Sequence, residues 1–281
     1  MSICYYHGEY MPLDECRLPV TDLAVQRGIG CFESVRTYGD RIFAMKEHLE
    51  RLAESVRKCR IEAGPILPQL PDIIRTGLRR MDSPSCDRLI KPYITGGPVN
   101  DRGRFPQPDF FVTFENAHVL TKEEISSGVA LAPNHVGRPC PEAKSTNYLL
   151  GYLPLAGTDE SVFEALYIEN GEVTESTASS FFLCREGKII TAPVGRVLRG
   201  ITREIILTLA REAGFRIEER CPLESELADA QEAFVTGCVK EVLPVVRVGR
   251  YTIGNGKPGP VSQRIRHLFI ANRERWFDKQ A

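Results

Sequence analysis

Two dipeptides, Asn170-Gly171 and Glu186-Gly187, cut the middle of the chain into short apolar runs at 165–169, 171–174, 180–184 and 188–192. Such turns, flanked by alternating or continuous apolar residues, join antiparallel strands through tight hairpins. A further strand is expected at 128–132. Downstream, Ile201, Ile205 and Leu209, with Ile206 and Ala210 beside them, share one face of a helix over 201–213, and Gly214 stands where its cap belongs. Strands at 215–219, 233–236 and 242–248 and a closing helix at about 260–276 complete a half that is strand-rich with two packed helices.

The first half has a different rhythm. A strand at 3–7 reaches the turn Gly8-Glu9, and a strand-like stretch at 27–38 ends at Gly39-Asp40. Met45, Leu49, Leu52, Ala53 and Val56 mark an amphipathic helix over 46–60, and Leu70, Ile73, Ile74 and Leu78 a second over 70–81. Strands follow at 88–95 and 109–114. Gly28 and Gly30 lack the third glycine and the helix of a dinucleotide fingerprint, and instead let the backbone pass close to a neighbour. Segment 116–127 is polar and without period, so it reads as a connection. The expected architecture is α+β in two domains, 1–115 and 128–281, joined by 116–127.

Composition narrows the function. Formal net charge is −1 and 42 % of residues are hydrophobic, which leaves no basic surface for nucleic acid. No apolar run approaches a transmembrane helix and no signal peptide opens the chain. Nine cysteines without a Cys-x-x-Cys pair suit a reducing cytoplasm, and five scattered histidines offer no local metal motif.

The chemistry centres on Pro141-Glu-Ala-Lys-Ser-Thr-Asn-Tyr-Leu149. Lys144 is flanked by small and polar residues and followed by the apolar run 148–153, the setting of an inward-pointing side chain. A partly buried lysine gives up its charge more readily and can then form a Schiff base with a carbonyl. A surface loop lysine is the plain alternative, and the surrounding motifs decide between the two. His48-Leu-Glu-Arg51, Val173-Thr-Glu-Ser-Thr-Ala-Ser-Ser-Phe-Phe182 and Leu198-Arg-Gly-Ile-Thr-Arg203 stand with Lys144 in the same order as in the fold-type IV pyridoxal-phosphate enzymes. The chain resembles that family, which includes D-amino acid and branched-chain aminotransferases and aminodeoxychorismate lyase. The resemblance runs from Tyr6-His-Gly-Glu9 to Gly256-Lys-Pro-Gly-Pro260 and its helix.

It implies two α+β domains with pyridoxal 5'-phosphate in the interdomain cleft, the second domain barrel-like, and a homodimer whose subunits share their sites. Lys144 matches the Schiff-base lysine and proton carrier, and Glu175 the acid facing the pyridine nitrogen. Arg51 matches the phosphate arginine, with an exposed place on the helix's charged face as the alternative. Gly200, Ile201 and Thr202 match the phosphate-binding helix start, where free N–H groups meet an anion; a plain helix cap is the alternative for Thr202. Leu198 matches the residue packed on the ring. Cys238 stands where relatives carry a phosphate-binding hydroxyl. Tyr148 is placed for the ring hydroxyl or for the core. Ser176 and Ser180 replace a glycine and an asparagine of the family pattern.

The substrate carboxylate needs a cation. Arg27 resembles an arginine that certain D-amino acid aminotransferases lend across the dimer, with a turn ion pair to Asp22 or Glu33 as the alternative. Lys91, sharing a strand face with Tyr93 and Thr95, stands where relatives have arginine; Arg102 and Arg104 are further candidates. The implied activity is transamination of D-amino acids with an α-keto acid such as 2-oxoglutarate. Branched-chain L-amino acid transamination is the nearest alternative, followed by aminodeoxychorismate lyase and a cofactor-binding protein without turnover.

Overall fold

The computed structural model describes residues 2–81, 86–98, 105–158 and 162–278. Two compact units emerge. The first comprises the chain up to His118, Ala143–Asn147 and the end from Trp276; the second comprises Val119–Glu142 and Tyr148–Arg275.

In the first unit, β1 (Ile3–Tyr6) and β2 (Glu9–Pro12) form a hairpin, followed by α1 (Leu23–Arg27), β3 (Gly30–Phe32), β4 (Val35–Tyr38), β5 (Arg41–Ile42), α2 (Met45–Lys58), α3 (Leu70–Arg80), β6 (Arg88–Thr95) and β7 (Phe110–Asn116). The sheet order is β2-β1-β7-β6-β4-β5, with β3 also paired to β6. Leu52, Val56, Leu70 and Ile74 pack with Ile90, Val112 and Phe114 in its core. Gly77 faces the Phe114 ring so closely that a Cβ there would overlap it.

The stretch 27–38 is not one strand. Asp22 accepts a hydrogen bond from the Ala24 amide (2.7 Å) and caps α1, and Gly28, at φ +65°, ends that helix. Five residues are too few for a hydrophobic period to register. The chain then runs as β3 and β4, separated at Glu33-Ser34. Gly30 does admit a close neighbour: its carbonyl accepts from the Thr146 amide (2.9 Å), and a Cβ there would lie 3.3 Å from the Thr146 hydroxyl.

The second unit contains α4 (Lys122–Ser127), β8 (Val129–Asn134), α5 (Leu149–Tyr152), β9 (Val162–Glu169), β10 (Glu172–Ser176), β11 (Ser180–Arg185), β12 (Lys188–Thr191), α6 (Ile201–Glu212), β13 (Arg216–Glu219), β14 (Glu232–Gly237), β15 (Glu241–Val248), β16 (Tyr251–Thr252) and α7 (Pro260–Asn272). Its sheet runs β10-β9-β8-β15-β14-β11-β12-β13, and a β10–β11 pairing at Glu175 and Ser180 closes six strands into a barrel. Both hairpin dipeptides adopt positive φ at each residue, +52° and +78° at 170–171 and +53° and +71° at 186–187.

Two expectations need correction here. Segment 116–127 is not a plain connection, since Thr121 and Glu124 make a reciprocal capping box that starts α4. The run 148–153 does not bury its apolar residues: Leu149, Tyr152 and Leu153 are 66 %, 61 % and 55 % exposed. Gly151 faces inward instead, so close to Thr177 and the Tyr167 hydroxyl that a Cβ would collide, which turns its large neighbours outward.

Candidate active site

In the first unit α2 presents His48, Arg51 and Ser55 on one buried face, at spacings of three and four residues. Arg51 grips Glu33 through both prongs, Nε to Oε1 at 2.7 Å and Nη2 to Oε2 at 2.8 Å, while His48 Nδ1 lies 2.7 Å from Oε2. Glu33 is wholly buried and Arg51 nearly so. Burial alone would raise the Glu33 pKa. The charge and hydrogen bonds of Arg51, joined by those of His48, outweigh it and hold the carboxyl far below its usual range. Arg51 is therefore not an exposed member of a charged helix face.

Lys144 belongs to the same unit and is 8 % exposed. Its amide donates to Ser55 Oγ (3.1 Å), and its carbonyl accepts from the Phe32 amide (3.0 Å). Its Nζ stands 4.4 Å from the centre of the Phe32 ring, which stacks on Tyr93, itself stacked on Phe111. The same backbone that supplies Glu33 thus supports the lysine.

In the second unit Glu175 is buried on β10. Oε1 accepts from Arg138 Nη1 (2.7 Å) and Oε2 from the Leu198 amide (3.2 Å). Burial opposes the charge on Arg138, but Glu175 outweighs it and raises the guanidinium pKa above its ordinary value. The Arg138 guanidinium also lies 5.9 Å from the centre of the half-buried Tyr148 ring. Leu198 leads to Gly200, the N-cap of α6, which has no side-chain cap. A Cβ at Gly200 would lie 2.6 Å from Ser180 Oγ, so a larger residue there would have to displace that hydroxyl. Thr202 is buried in the first turn, and Thr236 Oγ1, across from Ser180 on β14, is buried with no hydrogen-bond partner among the described residues. Cys238 is half-buried in the turn after β14. Uncapped helix amides with nearby hydroxyls and a close-packed glycine fit a phosphate group.

Ser176, where the family pattern has glycine, donates to Glu164 Oε2 (2.5 Å). Lys240 pairs with the other oxygen of Glu164 and donates to Ser179 (2.9 Å), tying the turn after Glu175 to the one carrying Cys238. The substrate cations fare unequally. Arg27 is exposed at the end of α1 and donates to the Gln26 carbonyl (2.8 Å). Its expected alternative partners are otherwise engaged, Asp22 by Ala24 and Thr95, Glu33 by Arg51 and His48. Lys91 is paired with Glu115 at 3.0 Å. Arg102 and Arg104 lie outside the described residues.

The amino-transferase class IV family model matches residues 30–248, which span both sets of groups. The chain belongs to the class IV aminotransferases. It is 29 % identical to a D-alanine aminotransferase of Bacillus licheniformis over 271 residues, covering 92 % of this chain and 93 % of that one. It is equally, 29 %, identical to a putative branched-chain-amino-acid aminotransferase of Methanocaldococcus jannaschii, covering 97 % and 96 %. The T.th. branched-chain amino acid aminotransferase solved with pyridoxamine 5'-phosphate superposes at TM-score 0.86 with 26 % identity, covering 98 % and 97 %.

Within this aminotransferase, sequence reading gives Glu33 only as an alternative partner of Arg27 and passes over Ser55, Phe32 and Arg138. A signal for the first pair exists: His48, Arg51 and Ser55 fall on the apolar stripe of α2 rather than opposite it, so a buried arginine is owed a carboxylate. Nothing local to Arg138 announces Glu175, 37 residues away.

Proposed function

We propose that this class IV aminotransferase acts on D-amino acids, with an α-keto acid such as 2-oxoglutarate as amino acceptor. The observation that carries the reading is Arg27: among the described residues it has no carboxylate partner, whereas Lys91 is already neutralised by Glu115. An exposed, uncompensated guanidinium suits a substrate carboxylate. Pyridoxal 5'-phosphate supplies an aldehyde for the amino group and a ring that draws electrons from the substrate α-carbon. Lys144 would hold it and would carry the proton at that α-carbon. Glu175, paired with Arg138, would hold the ring nitrogen protonated. Arg51, Gly200, Ile201, Thr202 and Cys238 hold the phosphate, Leu198 the ring face and Tyr148 the ring hydroxyl.

The deciding experiment mixes the purified yellow enzyme with single D- and L-amino acids and follows loss of the bound-cofactor absorbance. D-Alanine should react and L-leucine should not; the reverse result makes the enzyme a branched-chain L-amino acid transaminase, the reading that the equal likeness to such an enzyme supports. In the same assay Arg27→Ala should weaken D-alanine by about ten- to a hundredfold, the worth of a charge-assisted contact, and spare a simple (R)-amine. Equal losses for both would remove Arg27 from the substrate site.

Glu175→Gln should keep the fold and most of the cofactor yet slow α-proton removal by roughly a hundredfold, about 2.7 kcal/mol. A half-reaction at the wild-type rate would end that role. We also propose a homodimer, because Leu149, Tyr152 and Leu153 form an exposed apolar run that a second copy would cover. Sedimentation should give twice the 31.5 kDa chain mass, and Leu149→Glu with Tyr152→Glu should halve it; a wild-type monomer refutes the dimer.

A further inference from the structure

We propose that Cys4 and Cys16 form a thiol–disulfide modification site that a small-molecule disulfide oxidises. Cys4 lies on β1, fully buried, and its thiol donates to Cys16 Sγ at 3.3 Å. Cys16 is partly exposed and follows the 3-10 turn Leu13–Glu15. Two backbone bonds set the approach: the Leu13 amide donates to the Ser2 carbonyl (3.1 Å), folding the chain back along β1, and the Cys16 amide donates to Leu13 (3.3 Å). A disulfide needs the sulfurs roughly 1.3 Å closer than this. None of the groups assigned to cofactor or substrate takes part.

The chemistry follows from exposure. Burial and the neighbouring sulfur push the Cys4 thiol well above the ordinary range, so Cys16 is the attacking group. Its thiolate displaces one thiolate from the small disulfide and forms a mixed disulfide. Cys4 Sγ then attacks Cys16 Sγ and its proton passes to the departing sulfur, so the second small thiol leaves. Two protein thiols are oxidised, one small disulfide is reduced to two thiols, and the Cys4–Cys16 bond closes the intervening loop. That bond fixes the segment leading to Asp22 and α1.

Trypsin makes the test direct, because residues 1–17 contain no lysine or arginine before Arg17. The cofactor-loaded protein is incubated with oxidised glutathione, free thiols are blocked and the digest is weighed. The 1–17 peptide should be lighter by two hydrogens and take no blocking group, while exposed Cys86 and Cys140 carry glutathione. The melting midpoint should rise by about 5–10 °C, the scale expected for closing so short a loop, and fall back on adding a dithiol. Cys16→Ser, at a partly exposed position that does not threaten folding, should lose the rise. A stable glutathione adduct on Cys16, or an equal rise in Cys16→Ser, overturns the proposal.

Discussion

Lys144→Ala should yield a folded protein that still binds pyridoxal phosphate weakly but transaminates at least roughly 10⁴-fold more slowly, a barrier increase of about 5.5 kcal/mol. The fold should survive because backbone holds the segment. The Lys144 amide bonds Ser55, its carbonyl bonds Phe32, and the Thr146 amide bonds Gly30, none of which needs the lysine side chain. What is lost is the amine over the Phe32 ring. Borohydride reduction of the wild type followed by peptide mapping should find the cofactor on Lys144. Label on another lysine would end the assignment, and so would a Lys144→Ala protein with near-normal turnover.

How much of this is legible in the sequence depends on the range of each interaction. The hairpins at 170–171 and 186–187 are, because turn chemistry is local and both dipeptides take the positive φ they announce. The helix faces of α2, α3 and α6 are, because burial repeats every three to four residues. Helix α1 is not, having only one turn, and α4 hides behind a polar sequence although its Thr121–Glu124 box is readable. The outward turn of Leu149 and Tyr152 depends on Gly151 meeting Thr177 and Tyr167, contacts no window of residues contains. Among the candidate site residues, Lys144, Glu175 and Arg51 are singled out by motif, but their partners are not. Ser55 meets Lys144 across 89 residues, Arg138 meets Glu175 across 37, and Glu33 meets Arg51 across 18. A buried charge implies a partner; only the fold says which.

Glu33→Gln should cost about 3–5 kcal/mol of stability, the usual penalty for removing one member of a buried pair. The amide cannot offer Arg51 two anionic oxygens, so the buried guanidinium loses the charge of Glu33, and His48 loses the same support. The pH dependence should change with it. A carboxyl held low in the folded protein contributes stability that is fully present above its unfolded value, about 4.5, and drains away as pH falls below that through the folded value. Acid titration of the wild type should therefore show a steep loss below about pH 4.5, and Glu33→Gln should flatten it. A second variant separates folding from function. Glu33→Met with Arg51→Met replaces the pair by apolar side chains of similar length and should recover much of the lost stability. It should not recover cofactor affinity, which should stay about ten- to a hundredfold weaker without the Arg51 guanidinium. If the double variant binds pyridoxal phosphate like the wild type, Arg51 is only a partner for Glu33, and the phosphate must be held by the start of α6 alone.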